Sequence, residues 1–210
     1  MKVMRDYIAE INVKIARAHF KIDSIRDQET DIQQYVFINT KTDEIIQACT
    51  PYTVPELDAI KQLIDHIINA HGYAFGLNYA NAKQHVASVL KQKARESDMF
   101  IKRLVDDGWI NLTNQNRLVL SPTSLAELST YLKDRFGVFS ASDTSGKLLK
   151  CLVCSDFVTL GKKCGNKDCY TSFHSKCMGV FSRENQVCPN ESCNKPLGEF
   201  IDIGTKSTSE

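Results

Sequence analysis

Between Cys151 and Cys193 the 210-residue chain places Cys151, Cys154, Cys164, Cys169, His174, Cys177, Cys188 and Cys193, seven of its eight cysteines and one of its five histidines. They form four pairs, CLVC, CGNKDC, HSKC and CPNESC, with two, four, two and four residues between the partners. Each pair can reach one ion without strain, and eight such ligands fill two tetrahedral zinc sites with none left over. A stretch of about 50 residues with few large apolar side chains cannot build a core alone. Bound metal would have to supply the missing folding energy.

The ligands can be divided in two ways. Sequential filling gives Cys151, Cys154, Cys164 and Cys169 to one ion. Interleaving gives Cys151, Cys154, His174 and Cys177 to a first site and Cys164, Cys169, Cys188 and Cys193 to a second. Interleaving ties distant parts of the segment together, so we expect the cross-braced arrangement. A disulfide framework needs an oxidising compartment and an even pairing of seven cysteines, and it leaves His174 without a role. With every ligand position filled by protein, the two zinc ions are expected to be structural and to offer no open position for water. Loss of one ligand should unfold this segment locally and spare the helical units before it.

Charge and hydropathy narrow the setting. The formal charge is +1 with thiols counted as neutral. Seven ligating thiolates outweigh two divalent ions and bring the metallated chain to about −2, so any contact with nucleic acid has to come from a local patch. Asp6, Glu10 and Lys14 break the apolar run at the N-terminus, and no segment approaches the ~18 apolar residues of a membrane span. No membrane association is expected, and a cytosolic or nuclear setting fits. The sequons at Asn111 and Asn190 read as chance matches, the second lying between two zinc ligands.

Upstream of the cysteines the chain reads as mainly α with small β-hairpins. Met4, Tyr7, Ile8, Ile11, Ile15 and Ala18 recur at helical spacing, and strand-like runs at 19–25 and 32–39 flank the polar turn DQETD. Helix then hairpin is the closing part of a winged-helix unit. Thr53 and Glu56 have capping-box spacing ahead of Leu57, Ile60, Ile64, Ile67 and Ile68, a helix that we expect to join two units and to stop near Gly72. The second unit shows helical patterns at 80–91 and 96–107, Gly108 as a stop, strands at 109–112 and 117–120 around a turn, and a last helix through Leu125, Leu128 and Leu132 begun by Ser121-Pro122. The expected domains are therefore a first winged-helix-like unit with its connecting helix at 1–72, apparently short of its opening helices; a second unit at 73–139; a flexible linker at 140–147; the zinc domain at 148–200; and a tail at 201–210.

Winged helices often meet DNA, with the 96–107 helix in the recognition position here. Lys91, Lys93, Arg95, Lys102, Arg103 and Arg117 are the candidate phosphate contacts, opposed by Asp98, Asp106 and Asp107 on the same helix, and the alternative is a solvated face. Cys49 has no partner cysteine and reads as a small core or half-exposed residue. His66 and His71 have the wrong spacing for a shared metal. There is no phosphate-cradling loop, nucleophile elbow or paired catalytic carboxylate.

The four-Cys, one-His, three-Cys order is similar to that of two classes of zinc domain, RING-type domains that hold a charged ubiquitin-conjugating enzyme and PHD-type domains that read histone tails. PHD readers carry a tryptophan two residues before the seventh ligand, where this chain has Gln186. Val153 in the first knuckle, Pro189 after Cys188, and Phe181 between them resemble the residues with which RING ligases contact the conjugating enzyme. The four-residue gaps in CGNKDC and CPNESC depart from the usual pattern, as does Asn194-Lys195 where an activating arginine often follows.

Taken with the YVFINT strand and the VDDGWI helix-to-strand junction, the order of two winged-helix-like units, a linker and a cross-braced, two-zinc variant RING resembles the non-SMC element 1 family of the Smc five/six genome-maintenance complex. The resemblance implies a RING-type ubiquitin ligase subunit acting in DNA repair, with no covalent intermediate on its own cysteines. It also implies a MAGE-domain partner, a kleisin subunit nearby, a ubiquitin-conjugating enzyme, DNA reached directly or through the complex, and a nuclear, chromosomal location. The alternatives are a zinc-stabilised scaffold without ligase activity and a PHD-like chromatin or DNA reader.

Overall fold

The computed structural model describes residues 3–40 and 51–204. Cys49 lies outside the described residues. The chain opens with α1 (Met4–Ile15), followed after a short 3-10 turn by β1 (Phe20–Arg26) and β2 (Gln33–Asn39), an antiparallel pair with Phe20 opposite Asn39 and Arg26 opposite Gln33. Asp27 builds the tight turn between them, its Oδ1 accepting from the amides of Glu29 at 3.0 Å and Thr30 at 2.7 Å. The Asn12 side chain fastens α1 to the hairpin by accepting from the Ile22 amide and donating to the Ile22 carbonyl. No residue of α1 is buried; Val3, Met4, Tyr7 and Ile11 are exposed, and so are the hairpin residues Tyr35 and Phe37.

The helix read as a connector has a different place. In α2 (Val54–Ile68) Glu56 accepts from the Thr53 amide at 2.7 Å, completing the cap, and Ala59, Ile60, Leu63, Ile64, Ile67 and Ile68 form one buried face. That face packs on β3 (Leu77–Asn78), α3 (Tyr79–Leu90) and β5 (Arg117–Leu120), so α2 opens the second unit and residue 72 falls inside a packed body. α4 (Ala94–Asp106) ends at Gly108, whose φ of +77° suits a residue without a side chain. Strand β4 (Ile110–Leu112) then pairs with β5 in a sheet of order β3-β5-β4. Helix, strand, helix, helix, strand, strand is the winged-helix order, and a strand as short as β3 leaves no alternation to read.

The last helix is two pieces, α5 (Pro122–Glu127) and α6 (Ser129–Phe136), broken at Leu128, where ψ moves to 12° and the side chain is fully buried. Nor is the segment at 140–147 a flexible linker. Asp143 Oδ1 accepts from the amides of Ser145 and Gly146, the Phe139 amide donates to the Leu148 carbonyl at 2.8 Å, and Gly146 sits so close to the Val138 backbone that there is no room for a Cβ. The small polar residues that suggested flexibility are those that close such turns by local side-chain hydrogen bonds.

Beyond it lie β6 (Gly161–Lys163), β7 (Ser172–Phe173), α7 (Ser175–Phe181) and β8 (Ile201–Ile203), with β6 central in its sheet. Because β8 pairs with β6, residues 201–203 of the expected tail are part of the zinc module. One apolar core runs from Tyr52, Leu104 and Leu128 through Phe139, Leu148 and Leu149 to Phe173, Phe200 and Ile203. No helix among the described residues is long and apolar enough to cross a membrane.

Candidate metal centre and the face around it

The backbone brings the eight ligands into two clusters, Cys151, Cys154, His174 and Cys177 in one, Cys164, Cys169, Cys188 and Cys193 in the other. This is the interleaved division. Within each cluster the ligand atoms all lie within 4.8 Å of one another. Cys164 Sγ stands 3.5 Å from Cys193 Sγ, and Cys169 Sγ 3.6 Å from Cys188 Sγ. Tetrahedral zinc with bonds of about 2.3 Å to sulfur requires edges of about 3.8 Å, whereas a disulfide would bring the sulfurs to about 2.05 Å. The clusters fit zinc and do not fit disulfides.

Local structure sets each pair. A tight turn closed by the Ser155 amide on the Cys151 carbonyl, with Ser155 at φ +65°, curls the first knuckle around its ion. His174 and Cys177 sit at the N-terminal end of α7, and the Cys193 amide closes a turn onto Asn190. His174 turns Nδ1 toward Cys154 Sγ, 3.3 Å away, and Nε2 toward the Phe157 carbonyl at 3.0 Å. A proton on Nε2 leaves the Nδ1 lone pair free for metal, so the carbonyl selects the ligand tautomer.

The thiols themselves call for a cation. Burial is the largest single influence on Cys151 and raises its pKa, but the hydrogen bond to His174 and those from the backbone amides of Val153, Cys154 and His174 together bring the thiol down to about 6. The Lys195 amide holds Cys193 down to about 7. Burial pushes Cys177 up to about 11 and Cys164 up to about 12, and raises Cys154 and Cys188 as well. Without metal, Cys154, Cys164, Cys177 and Cys188 therefore keep their protons, while Cys151 and Cys193 give theirs up readily. Zinc uptake should release those protons, so zinc affinity should fall as pH drops and fall more steeply below about 7 and about 6, where Cys193 and Cys151 are protonated as well. A chelator competition from about pH 8 to about pH 5 measures this, and an affinity constant over that range would contradict it.

Lys163 is a residue that the sequence did not mark. It is 2% exposed, its Nζ donates to the carbonyls of Cys169 at 2.8 Å, Asn166 at 3.3 Å and Cys164 at 3.4 Å, and it lies over the rings of Phe139 and Tyr73. A buried ammonium beside a four-thiolate centre offsets part of its negative charge, and the two rings anchor that centre to the helical body.

Leu152, Val153, Val180 and Val187 of the module are each about half exposed, and Pro189 is exposed as well. Phe181 lies elsewhere: its ring packs on Phe173 at 5.0 Å inside the module, which leaves Val180 as the exposed apolar side chain of α7. Val153 and Val180 line one cleft together with the hairpin-turn residues Gln28 and Asp31. Of the candidate DNA contacts, Lys102 pairs with Asp98 at 2.9 Å, Arg103 pairs with Glu56 and stacks on Tyr52, and Arg117 donates to the Gly76 carbonyl at 2.8 Å. Lys91, Lys93 and Arg95 are exposed around the junction of α3 and α4.

Fold and site together define a winged-helix protein with a cross-braced, RING-like zinc module. The family described as "Nse1 non-SMC component of SMC5-6 complex" matches residues 1–128, and the RING-like domain matches residues 151–193. The chain belongs to the Nse1 family. It is 23% identical to the non-structural maintenance of chromosomes element 1 of Schizosaccharomyces pombe over 96% of this chain and 80% of that protein. With the human homolog it shares 20% identity over 91% of this chain and 68% of the relative. A solved chain from an Nse1-Nse3-Nse4 complex has the same fold, with a TM-score of 0.74 at 19% identity, covering 94% of this chain and 80% of that one.

Proposed function

We propose that the chain is a RING-type ubiquitin ligase subunit that positions a charged ubiquitin-conjugating enzyme, working with a MAGE-domain partner and a kleisin in DNA repair on nuclear chromosomes. The observation that carries the ligase reading is the half-exposed apolar pair Val153 and Val180 lining one cleft, with Leu152, Val187 and Pro189 also exposed, on a module whose two clusters each offer four protein ligands to a metal. A module without an open metal position does chemistry by holding other reactants in place, here a thioester against a substrate lysine. The partner reading is supported by α1, a helix of 12 residues with no buried side chain. A helix of that length is marginal in water without a surface to cover its apolar side, and Tyr35 and Phe37 extend the exposed area across the hairpin. The solved relative in complex with Nse3, a MAGE protein, and Nse4, a kleisin, names the class of partner.

Any direct DNA contact would fall first to Lys91, Lys93 and Arg95, which are exposed, and to Lys102, whose pair with Asp98 is a weak surface one, whereas Arg103 stacks on Tyr52 and Arg117 donates to the Gly76 carbonyl. The ligase reading is tested by single-turnover discharge of ubiquitin from a conjugating enzyme, using the chain co-purified with its MAGE-type partner. Discharge faster than by the conjugating enzyme alone supports it. Discharge at the background rate across a panel of conjugating enzymes would leave the scaffold role.

A further inference from the structure

We infer that Gln28, in the turn between β1 and β2, is a positioning residue for the first zinc site, acting through the carbonyl that fixes the ligand tautomer of His174. The inference concerns the metal site and stands whether or not the chain has ligase activity. Gln28 Oε1 accepts from the amides of Thr159 and Leu160, both at 2.9 Å, and its Nε2 donates to the Phe157 carbonyl at 3.0 Å. One side chain thus satisfies three backbone groups in the segment that leads from the first knuckle to β6. The Phe157 carbonyl is the group that accepts from His174 Nε2 at 3.0 Å. A carbonyl oxygen has two lone pairs, and here both are used, one by the metal-ligand histidine and one by a residue 129 positions earlier in the chain.

The orientation of the glutamine matters as much as its presence. Turned the other way, its amide nitrogen would face two donors and its oxygen would face a carbonyl. The hydrogen bonds at 157–160 admit only the assigned orientation. The glutamine is held over this segment by a turn that is itself ordered by Asp27, and Asp31 of the same turn pairs with Lys176 in α7. That ion pair is an exposed strut in which Lys176 remains 65% accessible, so little positioning is expected from it. Gln28 is where the first unit reaches the metal site.

Gln28→Glu separates positioning from general stability. The carboxylate still accepts from Thr159 and Leu160, but the donor to Phe157 becomes an oxygen facing an oxygen, which pushes the carbonyl away from His174. The full-length chain would be loaded with cobalt, because a three-sulfur, one-nitrogen centre and a four-sulfur centre differ in their visible absorption. Loss of a hydrogen-bonded partner behind a ligand typically costs ten- to hundredfold in metal affinity, so chelator-driven decay of the first-site band should quicken by about tenfold. The four-sulfur band should decay at the wild-type rate, Gln28→Ala should quicken the first-site band in the same direction but less than Gln28→Glu because it removes the positioning bonds without the repulsion, and Asp31→Asn should be silent. Wild-type decay of both bands in the Glu and Ala variants would overturn the assignment. Equal acceleration of both bands would overturn it too, since that is the mark of general destabilisation.

Discussion

Cys169→Ala is expected to leave one zinc equivalent on the chain and to lower the stability of the second winged-helix unit as well as that of the zinc module. Cys169 is 1% exposed, with its sulfur 3.6 Å from Cys188 Sγ, so its loss leaves three thiol ligands around a hole in the core. A structural zinc contributes about 10–16 kcal/mol in small zinc modules, comparable to the whole net stability of about 5–15 kcal/mol typical of a domain. Treated as a separate domain behind a flexible linker, the zinc module would unfold alone. The structure gives a different expectation, because Phe139, Leu148 and Leu149 are buried in one core with residues of both parts, Lys163 lies over Tyr73, and the Gly204 amide donates to the Tyr73 carbonyl at 2.9 Å. Metal analysis combined with urea unfolding followed by helix signal checks this. Two bound equivalents would contradict it, as would an unchanged unfolding midpoint with zinc released.

Val153→Arg and Val180→Arg should each reduce partner-supported ubiquitin discharge to the rate of the conjugating enzyme alone, while zinc content and partner binding stay at wild-type levels. Both side chains are about half exposed and line one cleft, so neither change opens a cavity. An arginine there places a charge where an apolar contact has to be desolvated, and such central contacts commonly carry about 2 kcal/mol or more of binding. Phe181→Ala should behave differently. That ring is partly buried against Phe173, so truncating it should cost about 0.5–3 kcal/mol of stability and act on discharge only through folding. Full discharge by the Val153 and Val180 variants would remove the docking face from the account.

Much of this was legible in the residues for physical reasons. Ligand pairs at fixed spacing impose their own geometry, so the two clusters could be assigned before any coordinates, including the division between ions. Capping residues and strong periodicity did the same for α2, α4 and the β4–β5 wing. What could not be read depends on contacts distant in sequence. The apolar face of α2 shows that it packs on something, but not on which unit. A two-residue strand has no period, and the Asp143 turn has the composition of a flexible linker while forming a closed loop. Gln28 carries no local signal, because its partners lie in a segment that only the fold brings near, and the rings over which Lys163 lies are likewise distant in sequence although its carbonyl partners are close. Phe181 and Val180 are neighbours in sequence, and only the direction of α7 decides which faces out.

The central claim, that exposed apolar side chains of the zinc module receive a ubiquitin-conjugating enzyme, is tested most directly by mapping that contact on the zinc-loaded chain. The measurement is titration of the isotope-labelled chain, bound to its MAGE-type partner, with unlabelled conjugating enzyme while amide and methyl resonances are followed. Shifts concentrated at Leu152, Val153, Val180 and Val187 are the expected result. Shifts that leave these residues unmoved, or that gather instead around Lys91, Lys93 and Arg95, would contradict it.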